Sequence, residues 1–469
     1  MSQSPVSQSP VLRSQAVVSV VCTRSQPYPA LGGAPLRNLQ TLEALKRLGP
    51  VSLFSLYKGR HEPDAYGGLA NWEHCDLNLA RRSFGDKLGQ RLRWLRADGY
   101  YYTDWIYTAQ NTDQLRRFLA RVRPQVIVFE ELWLCPYLTV AIAHRQAHPG
   151  CQIILDNHNV EGLLAPERRN LIPARTWADR IGLALRPQRV RRLERRALAQ
   201  VDQMWVCSDA DRQALVSLYG IDPGEPDGQK LRVVPNGVEV AAYKADLGRA
   251  SGSSLETARS PRQQPELPLA EPKLLFLGSF GYGPNAEAAQ ILIEQIYPRL
   301  RQRHPTAQLW LVGSEPTQQM QRAAQQNERI LVTGQVDLVL PYLQAADVMV
   351  VPLRHGSGTR LKLLEAFAAG LPVVSTTKGA EGLAVVDGRE LLIRDGVEAL
   401  VAGVEQLWAA PERGETLRAA ALQLVRSHYS WETATEKIAQ AIGLESSSAA
   451  ETPTEIPTET PTEMLAETP

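Results

Sequence analysis

The segment Asp347–Gly382, DVMVVPLRHGSGTRLKLLEAFAAGLPVVSTTKGAEG, decides how this chain is read. Val348 to Leu353 is a short apolar run, the pattern of a strand buried on both faces. The small polar loop His355-Gly356-Ser357-Gly358-Thr359 follows, and its glycines let backbone N–H groups come close to an anion. Leu361, Leu364, Glu365 and Ala368 recur at helical spacing, which predicts a helix starting near Thr359 or Arg360. Gly370 ends it, Pro372 blocks its continuation, and Val373-Val374 opens another strand. A helix N-terminus behind a strand and a glycine loop favours bound phosphate. Arg360 and Lys362 place cations in the first turn, against the helix dipole, which suggests an anion that offsets them. Glu365, about one and a half turns further on, suits a ribose diol. On spacing alone, a helix packed on a sheet with solvated Arg360, Lys362 and Glu365 is an equal reading, because glycine motifs match often by chance.

At 469 residues the chain is long enough for two domains. An apolar fraction of 44% and a charged fraction of 22% are those of an ordinary soluble protein. Cys22, Cys75, Cys135, Cys151 and Cys207 form no CxxC pair, which argues against a zinc site or disulfide framework and fits a reducing compartment. Ala16 to Cys22 is too short for a signal core, and no run approaches the length of a membrane span. A cytoplasmic location, with peripheral contact at the inner membrane face, is therefore expected. The tail from Glu445 holds six glutamates and no lysine or arginine, so the net charge of +1 conceals a body of +7. A mildly basic body suits an anionic ligand or membrane surface, and a solvated surface without a partner fits as well.

Outward from the opening segment, the chain reads as repeated βα units. Residues 1–13 are expected to be disordered. Ala16–Cys22 reads as a strand, Gly32-Gly33 either as backbone that passes close to a ligand or merely as a turn, Pro35–Arg47 as a helix and Val51–Leu56 as a strand. Residues 58–110 are irregular, and their aromatics read better as core packing than as an acceptor or membrane surface. Strands at Val126–Phe129 and Ile153–Leu155 flank a helix at Trp133–Gln146. The second strand runs into Asp156-Asn157-His158-Asn159-Val160-Glu161, placing His158 just past a strand end, where parallel sheets bind ligands. Residues 175–200 form a basic helix whose arginines read as a solvated face, with a membrane role as the second reading. Ser208 caps a helix ending near Gly220. Residues 244–272 are a linker, Lys273–Leu277 opens the second domain, and residues 444–469 are a disordered acidic Thr/Pro/Glu tail.

Pro352, Gly358, Lys362, Leu364-Glu365-Ala366 and Gly370-Leu371-Pro372-Val373-Val374 resemble the donor-site signature of glycosyltransferase family 4. The resemblance runs from about residue 15 to 443 and includes Asp156–Glu161 and Pro235-Asn236-Gly237-Val238. It implies the GT-B fold: an α/β protein of two Rossmann-like domains whose parallel sheets face a central cleft. The implied acceptor domain is 14–243 plus a crossover helix at 429–443, and the donor domain is 273–428. Two departures stand out. The first of two glutamates common in the family falls at Ser357, and Ser279 and Tyr282 stand where many members carry Arg and Lys. These shift phosphate binding to Arg360 and Lys362, as in a variant subgroup with a Gly-Ser-Gly-Thr-Arg-x-Lys loop.

The resemblance implies a retaining transferase that uses a nucleotide-diphosphate sugar as co-substrate, with no metal or other cofactor. The expected partners are that donor and a carbohydrate or lipid-linked acceptor, with no nucleic acid. His158, Arg360 and Lys362 would be catalytic. Gly32, Gly33, Ser279, Gly334, Val336, Gly356, Ser357, Gly358, Thr359 and Glu365 would bind donor. A sugar-nucleotide epimerase or phosphorylase on the same frame is the alternative, as is a non-catalytic nucleotide-binding subunit.

Overall fold

The computed structural model describes residues 16–26, 28, 33–59, 67–77, 106–171, 177–243, 272–356 and 360–444. Gly32, Ser357, Gly358, Thr359, Trp94, Tyr100, Tyr101, Tyr102, Trp105, both termini and nearly all of the linker lie outside the described residues.

The first sheet has seven parallel strands in the order β3-β2-β1-β4-β5-β6-β7. These are β1 Ser19–Thr23, β2 Val51–Tyr57, β3 Asn71–Asp76, β4 Val126–Glu130, β5 Gln152–Asn157, β6 Gln203–Val206 and β7 Leu231–Val233. The second has six parallel strands in the order β10-β9-β8-β11-β12-β13. They are β8 Lys273–Leu277, β9 Gln308–Val312, β10 Ile330–Val332, β11 Val348–Val351, β12 Val373–Ser375 and β13 Leu392–Ile393. Every residue of β1, β2, β4, β8, β11 and β12 is buried. That is what continuous apolar runs give once helices cover both faces. In each sheet the strand order reverses beside the first strand, at β1/β4 and β8/β11, and ligands of such sheets bind at the strand ends there.

Of the helices, α1 Gly33–Leu48, α2 Ala109–Val122, α3 Glu161–Leu171, α4 Trp177–Gln200 and α5 Asp209–Tyr219 cover the first sheet. On the second, α6 Gly283–Ile291 follows β8 and α7 Leu361–Ala368 follows β11; α8 Trp431–Ala441 is the last helix described. None of the helices described is long and apolar enough to cross a membrane.

Several expectations shift. The first strand begins at Ser19 rather than Ala16, and α1 begins at Gly33 itself, so Gly33 starts a helix instead of completing a turn before Pro35. β3 was not expected, because NWEHCD has no apolar run; it is an edge strand paired only with β2. α2 was also missed, although Thr108 caps it on the Asn111 N–H and Leu115, Phe118 and Leu119 are buried. The helix expected from Trp133 starts as a 3-10 segment, Leu132–Tyr137, with Pro136 inside it, and turns α-helical at Leu138. Among the described aromatics of 58–110, Tyr107 packs on Tyr137 with centroids 5.2 Å apart, whereas Trp72 is exposed.

The chain crosses between the units twice. Val238 N donates to the carbonyl of Tyr429 at 2.8 Å. A Cβ on Gly237 would lie 3.0 Å from the carbonyl oxygens of both Tyr429 and Ser430, so no larger residue fits there without displacing backbone. Ser430 then caps α8 through the Thr433 N–H. Ile438 and Ile442 enter the core of the first sheet beside Leu42, Leu45 and Trp205. Ile438→Ala should therefore cost about 2–5 kcal/mol, read as a lower calorimetric midpoint, because it leaves a cavity in this seam. Glu436→Ala, on the exposed side of the same helix, should stay within about 0.5 kcal/mol of wild type.

Candidate active site

α7 starts at Leu361, one or two residues later than the sequence suggests, and its N-cap Arg360 makes no side-chain cap bond. No acid sits in its first turn. The Arg360 side chain is buried, and its Nη2 donates to the carbonyl of Lys378 at 3.4 Å. Gly356, at φ +106°, passes over it; a Cβ there would meet Arg360 Nη1 at 3.3 Å and the Tyr282 hydroxyl at 3.1 Å. Both the backbone angle and the space reserve this position for glycine.

Lys362 leaves α7 towards the loop after β8. Its Nζ donates to Asn285 Oδ1 at 2.8 Å and lies 4.2 Å from the centroid of the Phe276 ring. Asn285 Nδ2 in turn donates to the Ser279 carbonyl at 2.9 Å, closing the 279–285 loop onto the lysine. The ammonium thus occupies the loop in which Ser279 and Tyr282 replace cations. Burial, then the adjacent charge of Arg360, lowers the Lys362 pKa to about 7, with Glu365 opposing. Glu365 is raised to about 7 by burial, against a hydrogen bond from Tyr243 and the charge of Lys362. That bond runs from the Tyr243 hydroxyl to Glu365 Oε1 at 3.1 Å.

The other residues expected to bind donor on the second sheet lie along its strand ends. Ser279 Oγ donates to Glu315 Oε2 at 3.4 Å. Gly334, at φ +68°, follows β10, and Val336 packs on the core of the second sheet.

On the first sheet, His158 lies one residue beyond β5, as its segment predicted. Its Nε2 donates to Glu130 Oε2 at 2.7 Å, and Asp156 Oδ2 is 3.9 Å away. Glu130 ends β4, and Glu131 after it takes φ +73° and pairs with Arg24 at 2.7 Å. Arg37 of α1, fully buried, forks onto Asp156, with Nε 2.8 Å from Oδ2 and Nη2 2.6 Å from Oδ1. Its Nη1 donates to Asn236 Oδ1 at 2.7 Å. Burial alone would lower the His158 pKa, but the Glu130 bond and the Asp156 and Glu130 charges raise it above 6.5. Burial, then the charge of Asp156, raises Glu130 to about 7, against His158 and Arg37.

Glu130, Asp156 and His158 bring ligand atoms within 4.8 Å of one another, a spacing a metal could use. The Asp156 oxygens already face a guanidinium fork and Glu130 faces His158, so two acids stand against two groups able to carry positive charge. Sequence reading missed Glu130, Arg37, Asn285 and Tyr243. The one signal for Glu130 was an acid closing a buried apolar strand.

The two sheets meet here. A Cβ on Gly33, the first residue of α1, would be 3.6 Å from Leu361 Cδ1, the first residue of α7. Neither helix has an acid in its first turn, so two positive helix ends converge. Asp211 of α5 feels Arg37 from its own sheet and Arg360 from the other, although burial is the largest influence on it and raises its pKa. Glu130→Gln should make His158 titrate at lower pH than in wild type, followed by NMR of the imidazole carbons. The raised His158 pKa stabilises the fold fully below 6.5 and ceases to do so as pH rises through the folded value. Glu130, raised from 4.5 to about 7, acts in the same direction. Wild type should therefore lose stability as pH rises through neutrality, and the variant should lose less.

Residues 31–242 match the family described as Glycosyltransferase Family 4, and residues 271–410 match that described as Glycosyl transferases group 1. Glycogen synthase of Mycobacterium tuberculosis is 27% identical over 262 residues, 54% of this chain and 56% of that protein. D-inositol 3-phosphate glycosyltransferase of Kineococcus radiotolerans is 29% identical over 212 residues, 41% of this chain and 44% of that one. The chain thus spans about half the length of the curated relatives it matches. Sucrose-phosphate synthase from Thermosynechococcus elongatus superposes with a TM-score of 0.63 at 18% identity, over 90% of this chain and 97% of that one. HepE of Anabaena, in complex with UDP and glucose, superposes with a TM-score of 0.60 at 15% identity, over 91% and 99%. Two parallel α/β units closed by a returning helix, the first matched by the Glycosyltransferase Family 4 model and the second by the Glycosyl transferases group 1 model, make this a chain of glycosyltransferase domains on the GT-B fold.

Proposed function

We propose that the protein is a retaining glycosyltransferase that moves a sugar from a nucleoside-diphosphate sugar to a carbohydrate or lipid-linked acceptor, without a metal ion. The observation that carries this reading is the convergence of the α1 and α7 N-termini beside Arg360 and Lys362. Breaking the bond between the anomeric carbon and the phosphate oxygen leaves negative charge on the departing nucleoside diphosphate. Two helix ends and two cations are placed to stabilise that charge as it develops. Glu365 accepts from the ribose hydroxyls.

His158 gives its Nε2–H to Glu130 and leaves Nδ1, buried and without a protein partner among the described residues, for a sugar hydroxyl or the acceptor. The fork of Arg37 on Asp156 supplies the positive charge that a metal would otherwise bring to the acids, which supports metal independence. Retention rests on family resemblance. The nucleotide-sugar reading draws support from the fold neighbour holding UDP and glucose.

Arg360→Ala and Lys362→Ala should each lower kcat/KM by about 10²–10³, the usual loss for a group that stabilises transition-state charge. Transfer that persists in both variants overturns the mechanism. The donor base follows from a thermal-shift screen of UDP, GDP and ADP, since ligand at about 100 times Kd adds roughly 2.7 kcal/mol to stability. Epimerised donor formed without any acceptor would favour the epimerase reading instead.

A membrane contact is a second part of this proposal. On α4 the exposed side chains include Arg180, Leu185, Arg191, Arg192, Arg195 and Arg196, whereas Glu194 is fully buried. Among the α4 side chains whose exposure is described, from Arg180 on, arginines and no acid face solvent. Each such arginine contributes about 1 kcal/mol at an anionic bilayer. Wild type should float with phosphatidylglycerol vesicles and not with phosphatidylcholine vesicles, and the double variant R192E/R195E should not float with either.

A further inference from the structure

We infer that Tyr243 is a positioning residue for nucleotide recognition, setting how Glu365 meets the ribose; this rests on the ribose role proposed for Glu365.

Tyr243 closes the 3-10 turn Val240–Tyr243, the last described residues before the linker. It follows the Pro235–Val238 segment at the end of the first sheet. Nevertheless, Val240 and Tyr243 pack against the core of the second sheet. The phenol donates to Glu365 Oε1 at 3.1 Å.

A carboxylate has two oxygens with about four acceptor positions, and a vicinal diol needs two of them at a fixed separation. Left to itself, Glu365 could rotate about its last side-chain bond and present either oxygen at any angle. The tyrosine hydroxyl occupies Oε1 and fixes the carboxylate plane, leaving Oε2 to accept from the ribose. Burial, then the charge and hydrogen bond of Glu365, pushes the phenol pKa up, so the hydroxyl keeps its proton and remains the donor. Lys362, three residues earlier on the same helix, directs its ammonium to Asn285 at 2.8 Å, whereas the hydrogen bond to Glu365 Oε1 comes from Tyr243.

The arrangement has a functional consequence. The turn that holds the ribose acceptor adjoins the segment joining the two sheets. Any movement of one unit against the other therefore acts next to the residue orienting the ribose grip.

The test compares the affinity for a ribonucleoside diphosphate with that for its 2′-deoxy counterpart, using whichever of UDP, GDP and ADP gives the largest thermal shift. The ratio is internal to each variant, so a general loss of affinity or stability cancels. Wild type should prefer the ribonucleotide by about tenfold, the worth of one hydrogen bond to a charged group. Tyr243→Phe should reduce the preference to about threefold or less, with its unliganded thermal midpoint recorded alongside. Glu365→Ala should abolish the preference.

If Glu365→Ala abolishes it and Tyr243→Phe leaves it unchanged or larger, Tyr243 does not orient the carboxylate and the inference fails. If wild type shows no preference, or Glu365→Ala keeps it, the ribose role of Glu365 fails first.

Discussion

Positive charge gathered at the start of a helix, inside the protein, is the constraint from which most of the site follows. Arg360 and Lys362 lie two residues apart at the positive end of α7, where each raises the free energy of the other's charge. The structure spreads that cost over several partners. Lys362 has an amide oxygen and an aromatic face, Arg360 has a backbone carbonyl, and Glu365 supplies one counter-charge. Burial and then the adjacent Arg360 charge outweigh that compensation and depress the Lys362 pKa. An incoming pyrophosphate would complete the compensation.

The first sheet handles buried charge by the opposite device. Arg37 and Asp156 form a two-pronged pair with almost no solvent contact, and Asn236 and the Val234 carbonyl satisfy the rest of the guanidinium. Such a pair adds little net stability over apolar packing, but losing one partner strands the other and costs about 3–5 kcal/mol. It therefore works as a register pin. It ties α1, β5 and the 234–237 segment into one geometry, and that geometry sets His158 against Glu130. The same α1 presents its N-terminus to α7. Local charge satisfaction in one sheet thus fixes where the other sheet finds its counterpart.

Much of this was legible in the chain. Helix limits marked by strong punctuation came out within a residue or two: Ser208 to Gly220 around α5, Ser430 at α8, and Gly370-Leu371-Pro372 after α7. Buried parallel strands were equally plain, because their apolar runs have no polar interruptions. The edge strand β3 was not, since one flank of an edge needs no apolar residues, and α2 carried its core contacts on only a few positions. His158 could be singled out, and its place just past β5 foreseen, because it stands in a cluster at a strand end. Its partner Glu130 lies 28 residues earlier, with only Glu131 beside it and no His or Asn to mark a cluster.

Sequence alone settled the kind of molecule, two parallel α/β halves, and raised the reading of an anion-seeking helix start in the second. It could do so because periodicity, caps and loop chemistry act over a few neighbouring residues. Only the tertiary structure decided which residues work together. Arg37 reaches Asp156 across 119 positions, Tyr243 reaches Glu365 across 122, and Lys362 reaches Asn285 across 77. Pairings at such separations depend on how two sheets and a returning helix pack, and no local pattern encodes that.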